Sequence, residues 1–383
     1  MSRNPAIASP SRGRLPAPLR RLLASDLVAT LATPHGVDRY LELFNPLWSV
    51  SEVRAEIVAI VRETTDATTI RLRPNGNWLG ARAGQYVRIA AELNGVRRSR
   101  CYSVSSSARR ADGLIDITVK TVAGGAVSGP LSAAAHPGMI VTLSQAEGSY
   151  VLPDAATMSE GPTHFLFISG GSGITPNMAM LRTLLDDRYA GRITVLHYAP
   201  TYDDVIFGSE LVRLADAYPN VELRFGVTRA TPDGDDFAGH FSAAHLAALD
   251  IDPSSVAAYV CGPQSLIDAV RNEFAIRNQA DRLQVEQFTA AAPAAVAEAV
   301  GGEVRFARAE RYVASDGRSL LDQAEAAGLK PEAGCRMGIC MSCKCTKKSG
   351  VTKNLITGEL STEAGEDIQL CVSVPLGDVT LDI

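Results

Sequence analysis

The chain has 383 residues, of which 46% are hydrophobic and 21% charged, and its net charge is −5. That length provides for two or three domains with separate cores, and the acidic balance argues against a nucleic-acid partner. No apolar run approaches the ~18 residues that cross a bilayer, and the 7 cysteines of a chain with no secretory signal point to reduced thiols and a cytoplasmic setting.

Residues 1–50 read as a helical extension that ends in Asn45-Pro46-Leu47-Trp48. Arg3, Arg12, Arg14, Arg20 and Arg21 precede the first acidic residue, Asp26, and interleave with Leu15, Leu19, Leu22, Leu23, Leu27 and Leu31 at helical spacing. Such a segment either lies on an anionic membrane face or packs on the next domain with its arginines in water. The packed helix is the preferred reading.

From 51 to 155 the pattern changes to short alternating runs, at 54–61, 68–73, 85–90, 115–121 and 139–144, separated by turn residues. This predicts a small antiparallel β-barrel. Arg100-Cys101-Tyr102-Ser103 closes one strand, and Gly124-Gly125-Ala126-Val127-Ser128 follows the next. Together they suit a flavin. Arg100 supplies a forked contact for phosphate, Tyr102 covers a ring system, and the Ser103 hydroxyl reaches the reactive ring edge. Gly124, Gly125 and Ser128 let backbone amides approach a phosphate.

From 156 to 288, strand-like runs at 164–169, 192–198, 221–227 and 257–261 alternate with helical stretches such as 177–187. Alternation of this kind predicts a parallel α/β sheet. Gly170-Gly171-Ser172-Gly173-Ile174-Thr175-Pro176 sits between a buried strand and a helix, where amides and a helix N-terminus face a nucleotide. It is not the G-x-G-x-x-G fingerprint, and the next strand ends in Tyr198-Ala199-Pro200 without an acidic ribose ligand. Cys261-Gly262-Pro263 ends another strand at the carboxyl edge, where open α/β sheets bind ligands.

An Ala/Pro-rich linker, uncharged from Thr289 to Ala297, covers 289–302, and a compact unit fills 303–383. Here Cys335, Cys340 and Cys343 read C-x4-C-x2-C, and Cys371 follows after 27 residues. This is the plant-type spacing that surrounds a 2Fe–2S cluster. A disulfide framework does not fit so few cysteines in so long a chain. A four-thiolate zinc site normally shows two short knuckles. Gly334 and Gly338 flank the first ligands and let the backbone wrap closely. Cys345 reads as a packed spare thiol.

In this order the motifs resemble the ferredoxin–NADP reductase superfamily fused to a C-terminal plant-type ferredoxin, over roughly residues 51–383. The resemblance implies a flavin-binding barrel, a nucleotide-binding α/β domain and a β-grasp ferredoxin domain. It implies flavin contacts at Arg100, Tyr102, Ser103, Gly124, Gly125 and Ser128, and nicotinamide-nucleotide contacts at Gly170, Gly171, Gly173, Thr175, Cys261, Gly262 and Pro263. Ser103 and Cys261 are the expected catalytic pair, and Glu286-Gln287-Phe288 matches the end of the nucleotide domain. Ala146-Glu147-Gly148-Ser149-Tyr150 departs from the more usual Gly-Pro-x-Gly-x-Phe. Thr228-Arg229 resembles the Ser-Arg pair that holds a 2′-phosphate, so NADPH is expected over NADH, although Asp203 and Asp204 nearby would repel it. FAD is expected, FMN being the other compatible flavin.

The implied activity takes hydride from NADPH and exports single electrons through the cluster to a partner oxygenase. The N-terminal extension resembles that of reductases serving membrane di-iron fatty acyl desaturases or alkane hydroxylases, which would place the chain at the inner membrane face. The alternative acceptor is a soluble ring-hydroxylating or phenylacetyl-CoA oxygenase. A non-catalytic redox sensor is the alternative of another class, with no signalling domain visible to support it.

Overall fold

The structure, a computed structural model, describes residues 36–93, 96–121, 128–153, 163–288, 300–334 and 341–383, with Arg336, Gly338 and isolated positions between 15 and 32. The first domain is built from β1 (Val53–Arg62), β2 (Ala67–Pro74), β3 (Tyr86–Leu93), β4 (Val96–Ser103), β5 (Ile115–Lys120) and β6 (Ile140–Leu143). All pairings are antiparallel in the order β4-β3-β6-β1-β2-β5. A bridge between Val104 and Ile117, with the Ser105 amide donating to Asp116 O at 2.8 Å, brings the two outer strands together and closes the barrel. The period-2 pattern turns Val53, Ala55, Ile57, Ile70, Leu72, Val87, Ile89, Ile117 and Val119 inward as one core.

Of the extension, the helices Ala17–Leu23 and Val37–Glu42 are described. Arg54 on β1, only 6% exposed, fastens the second of them: it pairs with Glu42 at 2.7 Å and Glu52 at 2.8 Å and donates to Pro46 O and Trp48 O. A buried guanidinium needs all of these acceptors. Asp38 accepts from Ser49 Oγ and the Val50 amide, tying the same corner. Arg20 reaches Asn77 of the barrel at 2.8 Å, and Leu15, which precedes the helix, is buried, whereas Leu19 and Leu22 on the helix are exposed. Arg3, Arg12 and Arg14 lie outside the described residues.

The second domain runs β7 (His164–Gly170), helix Ile174–Asp186, β8 (Ile193–Ala199), helix Gly208–Ala217, β9 (Val221–Val227), β10 (Phe237–Ala238), helix Ala243–Ala248, β11 (Val256–Cys261), helix Gln264–Ile276 and β12 (Leu283–Glu286). The sheet is parallel throughout, in the order β10-β9-β8-β7-β11-β12. Helices cover both faces, so the central strands are apolar on both sides. Phe165, Phe167, Met178 and Val195 fill one core, while Leu166, Ile168, Leu196, Val260 and Phe274 fill the other. Chain order reverses between β7 and β11, which opens a crevice at their carboxyl ends.

The third domain pairs β13 (Val300–Phe306) with β14 (Arg311–Asp316), then adds helix Leu320–Ala326, β15 (Lys344–Ser349), β16 (Thr352–Asn354), β17 (Leu360–Ser361), β18 (Asp367–Gln369), β19 (Ser373–Pro375) and β20 (Val379–Leu381). A mixed sheet β14-β13-β20-β15-β18 grips the helix through Leu320, Leu321 and Ala324. This is the expected β-grasp arrangement. Ser319 caps the helix, its Oγ accepting from the Asp322 amide at 3.2 Å.

Candidate functional site: the barrel–sheet junction and the cluster loop

At the crevice the two glycine turns interlock. A Cβ on Gly173 would stand 2.1 Å from Cys261 O, and one on Gly262 would stand 2.9 Å from the Gly170 amide. Only glycine permits this approach, which sets the backbone after β7 directly against the backbone after β11. Gly171 adopts φ +54 with open space around it. Thr175 is buried and donates to Ser172 O at 3.0 Å, and Pro263 forms the entry to helix Gln264–Ile276. Gly170, Gly171, Gly173, Thr175, Cys261, Gly262 and Pro263 are thus brought to one place.

The barrel contributes the end of β4 to the same junction. Tyr102 lies opposite Val87, and Ser103 opposite Tyr86. Tyr102 Oη and Ser103 Oγ are buried without a hydrogen-bond partner, and so is Glu286 Oε2 at the end of β12. Glu286 pairs in register with Cys261 of β11. Desolvation pushes the Glu286 carboxyl up to about 8, and the nearby Ser103 hydroxyl offsets this only in part, since neither atom meets the geometry of a satisfied hydrogen bond. Burial holds the Cys261 thiol protonated, with the Glu286 charge acting in the same direction, and raises Tyr102 to about 12. Tyr150 supports the junction from below: its hydroxyl donates to Asn177 Oδ1 at 2.7 Å and its ring stands edge-on to Tyr259, centroids 5.4 Å apart.

Each unsatisfied buried polar atom costs about 1–3 kcal/mol. Ser103 Oγ and Glu286 Oε2 meet at the junction as buried polar atoms in need of partners, which suits the hydrogen-bonding edge of a flat heterocycle such as a flavin. Ser128 opens helix Ser128–Ala134, while Gly124 and Gly125 lie outside the described residues. Arg100 is half-buried on β4.

Thr228 and Arg229 follow β9, their amides donating to Ala199 O at 3.0 Å and Pro200 O at 2.8 Å. They therefore flank the end of β8. Arg229 is exposed and pairs with no carboxylate among the described residues. Asp204, expected to oppose a phosphate there, is engaged in a capping box, accepting from the amide and hydroxyl of Thr201 at 3.1 and 2.8 Å.

In the third domain Cys343 and Cys371 are buried side by side, and the Cys371 amide donates to Cys343 Sγ at 3.5 Å. Arg336, Gly338 and Met341 all take positive φ, curling the loop that precedes Cys343, and Gln369 holds that loop by donating to Gly338 O at 2.6 Å. Adjacent thiols with an amide aimed at sulfur fit an iron–sulfur cluster. Cys335 and Cys340 lie outside the described residues. Cys345 is buried in the domain core, as a spare thiol should be.

Three family models match in chain order: an oxidoreductase FAD-binding domain over 55–151, an oxidoreductase NAD-binding domain over 167–272, and a 2Fe-2S iron-sulfur cluster binding domain over 307–376. An NADPH oxidoreductase of Mycobacterium tuberculosis is 38% identical, over 93% of this chain and 91% of its own. A glycine betaine monooxygenase reductase subunit of Pseudomonas aeruginosa is 27% identical over 88% and 96% of the two chains. Among solved structures, phthalate dioxygenase reductase shares the fold with a TM-score of 0.58 at 22% identity, covering 87% of this chain and 98% of that one. Fold and site together define a ferredoxin-reductase-type NAD(P)H flavoprotein oxidoreductase. The chain belongs to the family in which FAD-binding and NAD-binding domains are followed by a C-terminal 2Fe–2S domain.

Glu286 is the site residue to which sequence reasoning assigned no role. It was visible only as part of a matching tripeptide. Its environment depends on β12 pairing with β11 and on a barrel strand 183 positions earlier, at Ser103.

Proposed function

We propose that this protein is an NADPH-dependent reductase that delivers single electrons, through its C-terminal cluster, to a soluble oxygenase component. The observation that carries this reading is the meeting of Ser103, Cys261 and Glu286 where the FAD-binding and NAD-binding domains touch. When bound there, a flavin accepts hydride as an electron pair and releases the electrons singly, and the cluster carries them one at a time. The protein's own groups bind and orient. Arg100, Gly124, Gly125 and Ser128 hold the flavin phosphates, and Tyr102 covers the ring. Ser103 and the protonated Glu286 keep hydrogen-bonding groups at the ring edge in a site that excludes water. Cys261 adds an uncharged thiol at the carboxyl edge, where Gly170–Thr175 and Gly262-Pro263 receive the nucleotide. Cys335, Cys340, Cys343 and Cys371 hold the cluster.

The expectation of a membrane di-iron desaturase or alkane hydroxylase as acceptor gives way to its soluble alternative, because a relative matching nearly the whole chain is a monooxygenase reductase subunit. Among the described residues no helix is long and apolar enough to cross a membrane. NADPH is favoured over NADH by the exposed Arg229, which pairs with no carboxylate among the described residues, against the charges of Asp203 and Asp204 nearby, and a 38%-identical relative is an NADPH oxidoreductase. An arginine–phosphate contact is worth about 1.5–3 kcal/mol. Arg229→Ala should therefore lower the NADPH-to-NADH ratio of kcat/KM by roughly ten- to a hundredfold. An unchanged ratio would remove the assignment of NADPH. Wild-type protein that fails to reduce a one-electron acceptor steadily with NADPH would remove the enzymatic reading in favour of the redox sensor.

A further inference from the structure

The ferredoxin domain meets the rest of the chain through a contact that no expected role uses. Arg100 Nη1 donates to the main-chain oxygen of Gly334 at 3.1 Å, across 234 positions of sequence. Gly334 is buried and directly precedes Cys335, while its neighbour Ala333 packs against the ferredoxin core. Arg100 stands opposite Ile89 on β4, two residues before Tyr102 and three before Ser103. A single side chain thus reaches from the flavin strand to the backbone beside a cluster ligand.

We propose that Arg100 is a positioning residue that clamps the cluster loop to the flavin strand and so sets the flavin-to-cluster electron path. The inference rests on the flavin and cluster assignments above. A guanidinium suits the task because its five donors form a rigid fork, of which Nη1 holds Gly334 O. A charge-assisted bond to a buried main-chain oxygen is stronger than a neutral one, and no side-chain substitution at Gly334 can remove that acceptor. Each passage along the path moves one electron from the reduced flavin to the oxidised cluster and changes no bond at the protein. Two passages, with an external one-electron acceptor emptying the cluster each time, consume the pair carried by one hydride and release its proton to solvent.

The test uses the full-length holoprotein and its Arg100→Gln and Arg100→Lys variants. Three quantities are read: bound flavin per chain, the ratio of cytochrome c to ferricyanide turnover with NADPH, and the radius of gyration from small-angle scattering. Cytochrome c reports electrons leaving by the cluster, and ferricyanide also accepts them from the flavin. For Arg100→Gln, turnover with cytochrome c should fall about tenfold further than turnover with ferricyanide, the worth of one charge-assisted hydrogen bond. The radius of gyration should rise, and Arg100→Lys should recover part of both. If both turnovers fall together in step with flavin loss at constant radius, Arg100 is a flavin ligand alone and the clamp is wrong. If Arg100→Gln does not fold, scattering from the wild type decides: a profile that needs a detached ferredoxin domain overturns the clamp, and a docked one upholds it. Wild-type protein lacking flavin or iron would instead sink the cofactor reading on which the clamp rests.

Discussion

Among the described residues, the two boundaries of the flavin barrel are joined by different kinds of contact. Against the nucleotide domain, Arg182 grips Glu210 through Nε and Nη2 at 2.8 and 2.6 Å and donates from Nη1 to Ser105 O of the barrel, while its guanidinium covers the Phe207 ring at 4.9 Å. The Ala108 amide donates to Thr183 Oγ1, Arg109 pairs with Asp187, and Tyr259 reaches Val151 O. Against the ferredoxin domain, Arg100 donates to Gly334 O. The contrast matches the chemistry on each side. Hydride transfer needs reacting atoms held within near-contact distance, so that junction is rigid. Electron transfer makes no bond, and the cluster also serves a partner, so this boundary does not have to hold reacting atoms in contact.

The largest effect should come from cutting the ferredoxin side at its ligands. Cys371→Ser removes a thiolate from a site that needs four. NADPH-driven cytochrome c reduction should disappear while ferricyanide reduction through the flavin persists. Loss of both activities in variant protein with native secondary structure would show that the two sides do not function separately.

This separation was legible in the sequence for a physical reason. Three of the four cluster ligands come from a single wrapped loop, so most of their spacing is local, and strands buried on one face or on both leave alternating or continuous apolar runs. The glycines at 170, 171 and 173 were legible too, because close backbone approach excludes every other residue. What could not be read were contacts that exist only after domains pack. Arg182 looks like any surface arginine of an amphipathic helix. Arg54 lies in an ordinary alternating strand, yet it is buried and anchors the extension. Arg100 carried a phosphate-binding expectation and gave no sign of reaching Gly334, and Glu286 gave none of facing Ser103.

A smaller effect is expected at the boundary with the nucleotide domain. Arg182→Ala removes the bidentate pair and the bond to Ser105 O, and leaves Glu210 near Glu63, whose carboxyl is already raised chiefly by burial. Hydrogen bonds to a charged group are worth about 1.5–3 kcal/mol, and with the pair partly exposed a loss of about 2 kcal/mol is expected. Urea unfolding followed by tryptophan fluorescence should show a lower midpoint. NADPH-to-flavin transfer should slow as the junction loosens, whereas the ratio of cytochrome c to ferricyanide turnover should hold. A change in that ratio would mean the two boundaries are coupled.

The finest test concerns the carboxyl inside the rigid junction. Glu286 sits at about 8 in the folded protein against an ordinary 4.5. Between those values the folded state holds a proton that the unfolded state has released, so this group's contribution to stability is fully present below about pH 4.5 and is lost as pH rises through about 8. Glu286→Gln keeps the shape and removes the titration. Its melting temperature relative to wild type should therefore climb steadily from pH 5.5 to pH 8.5 when both proteins are compared in the same flavin state; other titrating groups are common to both and cancel in the difference. A difference that stays flat would mean that the carboxyl is ionised throughout and that bound water or a neighbouring cation compensates it. In that case the junction is wet, and the contrast with the ferredoxin boundary would rest on hydrogen bonds alone rather than on a dry, preorganised site.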